Sequence, residues 1–259
     1  MKTEVIRHEL YNGAVKIDFL PNSHTYKKET GERITSVTSA LGIIAKPALI
    51  YWSANLCAEF LQSQLKEGRA ITTELIEQAR VQHTLDKVKA ASIGHLVHSW
   101  CDDFIKTGNK TIPDDDRVKN GVLAFLRWVD EHGVQFVSSE RIVYSRRHDF
   151  VGIMDAEAII DGKRVVVDFK TSNGIYEEYH LQTAAYQKAA EEEGSKYEGD
   201  RLIVQFGKED VFDKQGNQTG FAGEFKAVSC GDLENDYQAF LSALHLKEHL
   251  KQMSAGKVK

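Results

Sequence analysis

Apolar positions change their spacing near the middle of this chain. Between Pro47 and Val134 they recur mostly every three or four residues, which is typical of amphipathic helices. From Val134 they alternate with polar positions through three runs, which end near residues 145, 160 and 171. Alternation of this kind is typical of strands that bury one face. The pattern therefore predicts a helical region followed by a sheet.

The N-terminal portion, residues 1–133, is predicted to be mainly helical with short strands. Residues 14–20 alternate as a half-exposed strand, and a turn at residues 29–32 separates two more short strands. Pro47 opens the first helix, where its missing N–H is harmless, and Gly133 ends the last. The four predicted helices cover residues 47–68, 72–85, 87–105 and 118–132.

The C-terminal portion, residues 134–259, continues the sheet and adds two helices. One helix is predicted from Tyr176 to Glu193, ending at Gly194, and Asp232 caps a final amphipathic helix. Between these helices, the pattern predicts strands at residues 201–206 and 219–228, joined by a turn at residues 213–217.

Length and composition limit the class of protein. A chain of 259 residues with 42% hydrophobic content buries one substantial core, so we expect a single domain over residues 1–259. The net charge of −5 gives no general attraction to nucleic acid, so any DNA contact needs a local basic groove and metal ions. No segment has the apolar length of a membrane span or the apolar core of a secretory signal. We therefore expect a cytoplasmic protein without membrane contact.

Cysteines and nucleotide-binding motifs exclude further classes. The three cysteines, Cys57, Cys101 and Cys230, are too few and too scattered for a disulfide framework or a four-cysteine metal site. No Gly-x-x-x-x-Gly-Lys-Ser/Thr motif occurs, so we expect no ATP among the cofactors.

Charged residues interrupt two of the predicted strands. Asp155 lies in the second run, Asp168 and Lys170 end the third, and an Asp-Gly pair makes a hairpin turn between these two runs. Asp168 and Lys170 are two positions apart, so a strand points both to one face and points Phe169 to the other. If both runs are strands, two carboxylates and an ammonium group converge.

Such a group of charges needs partners. Burying it beside an apolar run costs several kcal/mol unless the charges are paired or bind a metal. Carboxylate oxygens suit a hard divalent cation, Mg²⁺ or Mn²⁺, and a cation between two aspartates with a lysine alongside is chemistry for phosphodiester hydrolysis. The alternative is a strand that ends in a surface Asp–Lys ion pair, which contributes roughly 0–1 kcal/mol.

Four motifs occur in order around these residues. They are Gly94-His-Leu-Val-His98, Gly152-Ile-Met-Asp155, Asp168-Phe-Lys170 and Gln182-Thr-Ala-Ala-Tyr186. Each motif is weak alone, but the set resembles the RecB-like branch of the PD-(D/E)XK nuclease superfamily, in particular its phage-type and mitochondrial-genome-maintenance-type exonucleases. The chain departs from many members of the superfamily because its third motif carries Asp in place of Glu.

The resemblance implies a fold. It is an α/β, restriction-endonuclease-like fold with a central mixed sheet from about Val134 to Phe206, helices on its faces and the helical N-terminal portion before it. Several relatives hold an iron–sulfur cluster with four cysteines. Because this chain has three, we expect no iron–sulfur cluster.

The resemblance also implies a set of site residues. Asp155 and Asp168 are catalytic and bind the metal together with His98 and the main-chain carbonyl of Phe169. Lys170 is catalytic because it positions or activates the attacking water. The two residues of the fourth motif, Gln182 and Tyr186, support the site and contact DNA, and their amide and phenol suit phosphate contact and base stacking.

Further residues near the motifs are candidates. Glu140 lies on the first predicted strand, where related nucleases often carry an acid that faces the site; it would support the ligands or bind a second metal, or else form a plain cross-strand pair. Arg146 and Arg147 form a basic turn that would contact DNA phosphates, or alternatively a solvated turn. Asp102, one helical turn after His98, would hold the imidazole by its second nitrogen.

The function implied is that of a Mg²⁺- or Mn²⁺-dependent deoxyribonuclease. An exonuclease acting on single-stranded DNA or DNA ends in replication, recombination or repair is favoured, in a bacterial or phage-infected cell and with a recombination or replication protein as partner. Two alternatives are open. One is a structure-specific or sequence-specific endonuclease on the same core, and the other is a non-catalytic DNA-end-binding or partner-binding protein.

Overall fold

Residues 4–206, 211–212, 218–220 and 225–256 are described by the computed structural model of the chain. The chain divides into two compact units, a larger one of Met1–Ile44 with Val97–Lys259 and a smaller one of Ala45–Leu96. No described helix is both long enough and apolar enough to cross a bilayer.

Strands and helices alternate along the chain in irregular groups. The strands are β1 (Ile6–Leu10), β2 (Val15–Leu20), β3 (Thr25–Lys28), β4 (Arg33–Ser36), β5 (Gln135–Ser145), β6 (Phe150–Ile160), β7 (Lys163–Lys170), β8 (Arg201–Gln205), β9 (Val211–Phe212), β10 (Gln218–Gly220) and β11 (Lys226–Cys230). The helices are α1 (Val37–Leu41), α2 (Pro47–Lys66), α3 (Thr73–Arg80), α4 (Gln82–Thr107), α5 (Asp116–Glu131), α6 (Glu177–Glu192) and α7 (Leu233–Ser254).

A mixed sheet forms the centre of the larger unit. Among the described residues it has nine strands in the order β1-β2-β3-β4-β6-β7-β8-β11, and β5 also pairs with β6. The pairs β4–β6 and β7–β8 are parallel, and the other neighbours are antiparallel. The α/β fold with a central mixed sheet flanked by helices is therefore confirmed.

The sheet extends beyond the segment from Val134 to Phe206 that the sequence assigned to it. Strands β1 to β4 form an antiparallel meander, and β4 joins the start of β6 in parallel, with Thr35 opposite Phe150 and Ser36 opposite Val151. The sequence pattern predicted β2, β3 and β4 as short strands. It did not predict this pairing, because a parallel contact between residues more than 100 positions apart leaves no local signal.

Two layers of apolar side chains cover the faces of the sheet. On one face, α1, α6 and α7 pack over β5 to β7, and their core includes Val37, Phe150, Met154 and Phe240. Alanines at positions 184, 185, 189 and 190 are fully buried there and allow α6 to lie close to the strands. On the other face, the N-terminal meander packs on β5 and β6 through residues that include Tyr26 and Ile142.

A cluster of aromatic rings lies where α4 and α5 reach the sheet. The ring of Phe125 is 5.8 Å from the ring of Phe169 and 5.3 Å from that of Phe206, centroid to centroid. Phe104 and Phe136 complete the group with centroid distances of 5.8 and 6.0 Å to Phe125. This cluster holds the end of β7 in place, because Phe169 of β7 packs against the other rings.

Within the smaller unit, the sequence located the helix starts better than the helix ends. Helix α2 begins at Pro47 as predicted, and Thr72 caps α3 by accepting a hydrogen bond from the Leu75 N–H at 3.3 Å. The boundary predicted near residues 85–87 is wrong, because α3 ends at Arg80 and α4 begins at Gln82. No glycine or proline marks that break, so the sequence pattern gave no stop signal.

The strand predicted at residues 219–228 is wrong as a single strand, because β10 ends at Gly220 and pairs with β9, whereas β11 begins at Lys226 and pairs with β8. The helix predictions near the C-terminus agree with the structure. Helix α6 spans Glu177–Glu192, and Gly194 follows with a φ of +104°. Asp232 caps α7 by accepting a hydrogen bond from the Asn235 N–H at 3.1 Å. The turn predicted at residues 213–217 lies outside the described residues.

Candidate metal centre

The end of β7 separates one aromatic residue from two charged ones. Phe169 points into the aromatic cluster, and its neighbours Asp168 and Lys170 point to the opposite face, toward α6. Asp168 is fully buried, and its Oδ1 accepts a hydrogen bond from Gln182 Nε2 at 3.2 Å. Its Oδ2 lies 2.5 Å from Lys170 Nζ. The alternation predicted from the sequence is therefore present.

The Asp168–Lys170 pair is largely removed from water. The Lys170 side chain is 15% exposed, and its Nζ lies 4.8 Å from the centre of the Tyr179 ring, within the range of a cation–π contact. Burial, and then the charge of Asp155, raise the pKa of Asp168 against the opposing effect of Lys170. Burial alone would lower the pKa of Lys170, but the charges of Asp168 and Asp155 outweigh it and raise the pKa. Lys170 is therefore held as a cation.

Pairing between β6 and β7 ends at Ala156, which lies opposite Val167, and Asp155 is the residue just before Ala156. Its Oδ2 accepts a hydrogen bond from the Phe169 N–H at 2.8 Å, and this bond joins the two strands where their ladder ends. The same oxygen lies 3.7 Å from Nδ1 of His98 on α4. The structure thus brings together His98, Asp155 and the end of β7, which the sequence motifs selected separately.

Glu140 reaches this point through a break in the alternation of β5. Ser138 and Arg141 are three residues apart, yet both bind the carboxylate of Glu157, at 2.6 and 2.9 Å. Regular alternation would place residues three apart on opposite faces, so the alternation is interrupted between them, although Ser138 and Arg141 pair with β6 in one register, opposite Glu157 and Met154. Glu140 has a φ of +49°, in the left-handed region that is strained for a residue with a side chain. The backbone therefore turns Glu140 out of the regular pleat.

A network outside the site holds this irregularity. Glu157 is 1% exposed and also contacts Arg164, at 2.9 Å, and the hydroxyl of Tyr197. Burial alone would raise the pKa of Glu157, but hydrogen bonds from Ser138 and Tyr197 outweigh this effect and lower the pKa. Glu157 is therefore charged, and it binds Ser138 and Arg141, the residues at the two ends of the irregular segment of β5.

One ligand atom each from His98, Glu140 and Asp155 lie within 4.8 Å of one another. Burial and the charge of Asp155 raise the pKa of Glu140, although Glu140 is the exposed residue of the three. Two carboxylates and an imidazole form a donor set that suits a divalent cation. The residues therefore fit a metal ion.

This ligand group differs from the set predicted from the sequence. Glu140, predicted as a supporting or second-metal residue, belongs to the group of mutually close ligand atoms. Asp168 stands beside the group and is engaged by Gln182 and Lys170. Metal ligation by Asp168 and by the main-chain carbonyl of Phe169 stays a prediction.

Gln182 and Tyr186 lie beneath the site. Gln182 Nε2 also donates to the Tyr186 hydroxyl at 2.9 Å, so one amide joins the phenol to Asp168. Gln182 is 9% exposed and Tyr186 3% exposed, and burial raises the pKa of Tyr186. This burial favours the supporting role expected for both residues and leaves little surface for DNA contact.

The ring of Tyr186 explains the glycine of the second motif. A Cβ at Gly152 would lie 2.4 Å from Cε1 of Tyr186 and 3.2 Å from Cγ2 of Val37. Only a residue without a side chain lets β6 and α6 approach this closely. The second and fourth motifs therefore pack directly against each other.

Other candidates lie away from the ligand group. Arg146 stacks over the Tyr11 ring at 5.3 Å, and the main-chain N–H of Arg147 donates to Glu192 at 3.3 Å. Both precede Phe150, which lies about 17 Å along the strand from Asp155 at the usual rise per residue. Their contact with DNA stays a prediction and would involve a more distant part of the substrate.

The carboxylate of Asp102 is engaged elsewhere, so the expected support of His98 by Asp102 is wrong. Asp102 accepts a hydrogen bond from Ser139 Oγ at 2.5 Å and pairs with Lys106 at 2.8 Å. The sequence reasoning also missed Tyr179 as the neighbour of Lys170. Its position three residues before Gln182 on a predicted helix was the available signal.

Comparison with known proteins agrees with this geometry. Residues 116–259 match the family model of the PD-(D/E)XK nuclease superfamily, which is more than half of the chain. The matched span contains Glu140, Asp155 and Lys170, and it begins after His98. No curated protein matches the chain.

Replacing Glu140 by glycine should show separately the effect of Glu140 on stability, through backbone strain, and its effect on metal binding, through its carboxylate. Glycine adopts a positive φ at little cost, so Glu140→Gly should raise the free energy of unfolding of the metal-free protein by about 1 kcal/mol. The same change should lower Mn²⁺ affinity about tenfold or more in calorimetric titration, because a ligand is lost. Asp161→Gly is the matched control, since Asp161 also has a positive φ, +51°, but lies in the β6–β7 turn. Equal Mn²⁺ affinity in both variants would remove Glu140 from the ligand group.

Gly152→Ala should disturb the site from below. The new methyl group overlaps the Tyr186 ring, so the free energy of unfolding should fall by about 1–3 kcal/mol in denaturant titration. In a Tyr186→Leu background, which lacks the overlapping ring atom, the same substitution should cost much less. Gly231→Ala is the control, because an added Cβ there meets no atom within 4 Å. Equal costs of Gly152→Ala in both backgrounds would contradict the contact.

Proposed function

The chain belongs to the PD-(D/E)XK nuclease superfamily, and we propose that it is a Mg²⁺- or Mn²⁺-dependent exonuclease that acts on single-stranded DNA or DNA ends. Membership implies a metal-dependent nuclease with DNA as its substrate. The preference for single strands or ends, a role in replication, recombination or repair, and a partner protein in a bacterial or phage-infected cell belong to the proposal.

One observation carries the proposal. The ligand atoms of His98, Glu140 and Asp155 come within 4.8 Å of one another, beside a lysine that a buried aspartate holds 2.5 Å away. Two carboxylates and an imidazole at this separation form a donor set that suits a divalent cation. A binding protein without catalytic activity would have no use for the buried lysine at the same point.

Different residues of the chain would have separate roles in hydrolysis. When bound, the divalent cation would polarise a phosphoryl oxygen and lower the pKa of a water molecule. His98, Glu140 and Asp155 would hold that cation. Lys170, kept protonated by Asp168, would orient the attacking water and stabilise the negative charge that develops on the phosphoryl group as the P–O bond breaks.

Residues behind the site maintain this arrangement. Asp168 holds Lys170, Gln182 holds Asp168 by its amide, and Tyr186 accepts a hydrogen bond from the same amide. Because these groups are buried, their positions are set before substrate arrives, which is the condition for electrostatic stabilisation of a transition state. They act as positioning residues.

The preference for single strands and ends follows from the motif set. The His, Gly-x-x-Asp, Asp-x-Lys and Gln-x-x-x-Tyr combination is that of the exonucleases which the chain resembles. A closed circle distinguishes the alternatives, because an end-dependent enzyme leaves it intact. End-labelled linear single strands, linear duplexes and closed circles should therefore be digested with Mg²⁺, Mn²⁺ or EDTA. We expect degradation of linear substrates with either metal and none with EDTA.

Each other outcome identifies an alternative. Cleavage of closed circles would contradict the exonuclease and favour an endonuclease on the same core. Binding of DNA ends without cleavage under any metal would favour a DNA-end-binding protein.

Lys170→Ala should abolish most activity without preventing DNA binding. Loss of the ammonium group should lower the cleavage rate about 10²- to 10⁴-fold in single-turnover assays, with the affinity for DNA changed little. Lys251→Ala is the control, because Lys251 is an exposed lysine that also pairs with a carboxylate, that of Glu248. A Lys170→Ala enzyme that cuts at the wild-type rate would overturn the role of Lys170.

Removing Lys170 also leaves Asp168 buried without its partner, which destabilises the protein. The double variant Asp168→Asn/Lys170→Met removes both charges and should fold more stably than Lys170→Ala while remaining inactive. Circular dichroism and thermal melting of both variants separate a loss of chemistry from a loss of fold.

A further inference from the structure

An aromatic ring is exposed close to the proposed catalytic lysine. Among the described phenylalanine, tyrosine and tryptophan side chains, those in the exposed class are Tyr51, in the smaller unit, and Tyr176. Tyr176 is 44% exposed and precedes α6, six residues after Lys170. The tyrosine that the sequence selected for base stacking, Tyr186, is buried. Tyr176 is the exposed ring next to the site.

Two ring contacts connect Tyr176 to Lys170. The ring centres of Tyr176 and Tyr179 are 5.6 Å apart with planes at 76°, and Lys170 Nζ lies 4.8 Å from the centre of Tyr179. These distances place the Tyr176 ring no more than about 10 Å from the ammonium group. A nucleotide beside the reacting phosphate would have its base within reach of this ring.

The loop that presents Tyr176 is tied to the fold. Ser172 Oγ donates to the Gly174 carbonyl at 2.6 Å, and Gln205 Nε2 on β8 donates to the Ser172 carbonyl, also at 2.6 Å. The Tyr176 carbonyl accepts a hydrogen bond from the Tyr179 N–H at 3.0 Å, which starts α6. A ring held this way loses little freedom on binding, so contact with a ligand costs less.

The neighbouring charges determine which part of a nucleotide suits this position. Glu177 and Glu178 follow Tyr176 in the first turn of α6 and repel phosphate. A base is uncharged and stacks on an aromatic ring through its π-face, and all four bases can do so. Bases in a duplex are already stacked on one another, whereas bases of single strands are open to such contact.

We propose that Tyr176 is a stacking platform for a base of single-stranded DNA next to the phosphate that Lys170 addresses. This inference rests on the proposed function and deepens it, because it assigns the preference for single strands to a residue outside the four motifs. The contact orders the strand at the site, and the phosphates remain with Lys170 and the metal ligands.

The test measures binding of a fluorescent single-stranded oligonucleotide in EDTA, where no cleavage occurs. Tyr176→Ala should weaken binding about fivefold to a hundredfold, the usual effect of removing one stacked base contact, and Tyr176→Trp and Tyr176→Phe should bind within about twofold of wild type. Tyr51→Ala, at the exposed tyrosine of the smaller unit, serves as the matched control and should bind as wild type does. Unchanged melting temperatures establish that the variants are folded.

A second set of oligonucleotides, each with one abasic position, identifies the stacked base. At one position the abasic substitution should weaken binding to the wild type as much as Tyr176→Ala does, and it should have no further effect on the variant. Two results would overturn the proposal: equal binding by wild type and Tyr176→Ala, or a loss in the variant that no abasic position reproduces in the wild type. Failure of the proposed function is seen separately, as absence of cleavage by the wild type with Mg²⁺ or Mn²⁺.

Discussion

This fold depends on the ion pair between Asp168 and Lys170, which is largely removed from water. A fully buried carboxylate at the end of β7 faces a lysine that is 15% exposed, and both lie against α6. Such a pair is tolerated only when every remaining lone pair and proton has a partner. The amide of Gln182 and the ring of Tyr179, both on α6, are partners of this pair. The second oxygen of Asp168 is held by Lys170 Nζ at 2.5 Å, so both oxygens of the carboxylate are engaged.

Close contact between a strand and a helix keeps that constraint satisfied. Gly152 and Tyr186 are 34 positions apart in the sequence, yet the Tyr186 ring occupies the space that a side chain at position 152 would need. The buried alanines of α6 extend the same close approach along the sheet. If α6 moved outward, Gln182 would leave Asp168, and the lysine would lose the orientation that its chemistry requires.

Local patterns predicted a large part of this structure. Alternation identified β5, β6 and β7, Gly194 identified the end of α6, and the cap Asp232 identified the start of α7. Hairpin geometry placed Asp155 and Asp168 near each other. The features that sequence reasoning missed depend on long-range or backbone effects. The parallel pairing of β4 with β6 joins distant segments, and the left-handed backbone of Glu140 is uncommon for glutamate, so no residue preference indicates it. Burial of Tyr186 likewise follows from a glycine on another strand.

Glu157 has a consequence for how this protein tolerates change. Because Ser138 and Arg141 bind the same carboxylate from either side of Glu140, the left-handed backbone of Glu140 cannot relax to a regular strand without breaking one of these bonds. The backbone of β5 at Glu140 is therefore held by a cluster of residues outside the ligand group. Over evolution, Ser138, Arg164 and Tyr197 should accordingly vary as a linked group with Glu157, and their conservation would reflect the location of an acid several residues away.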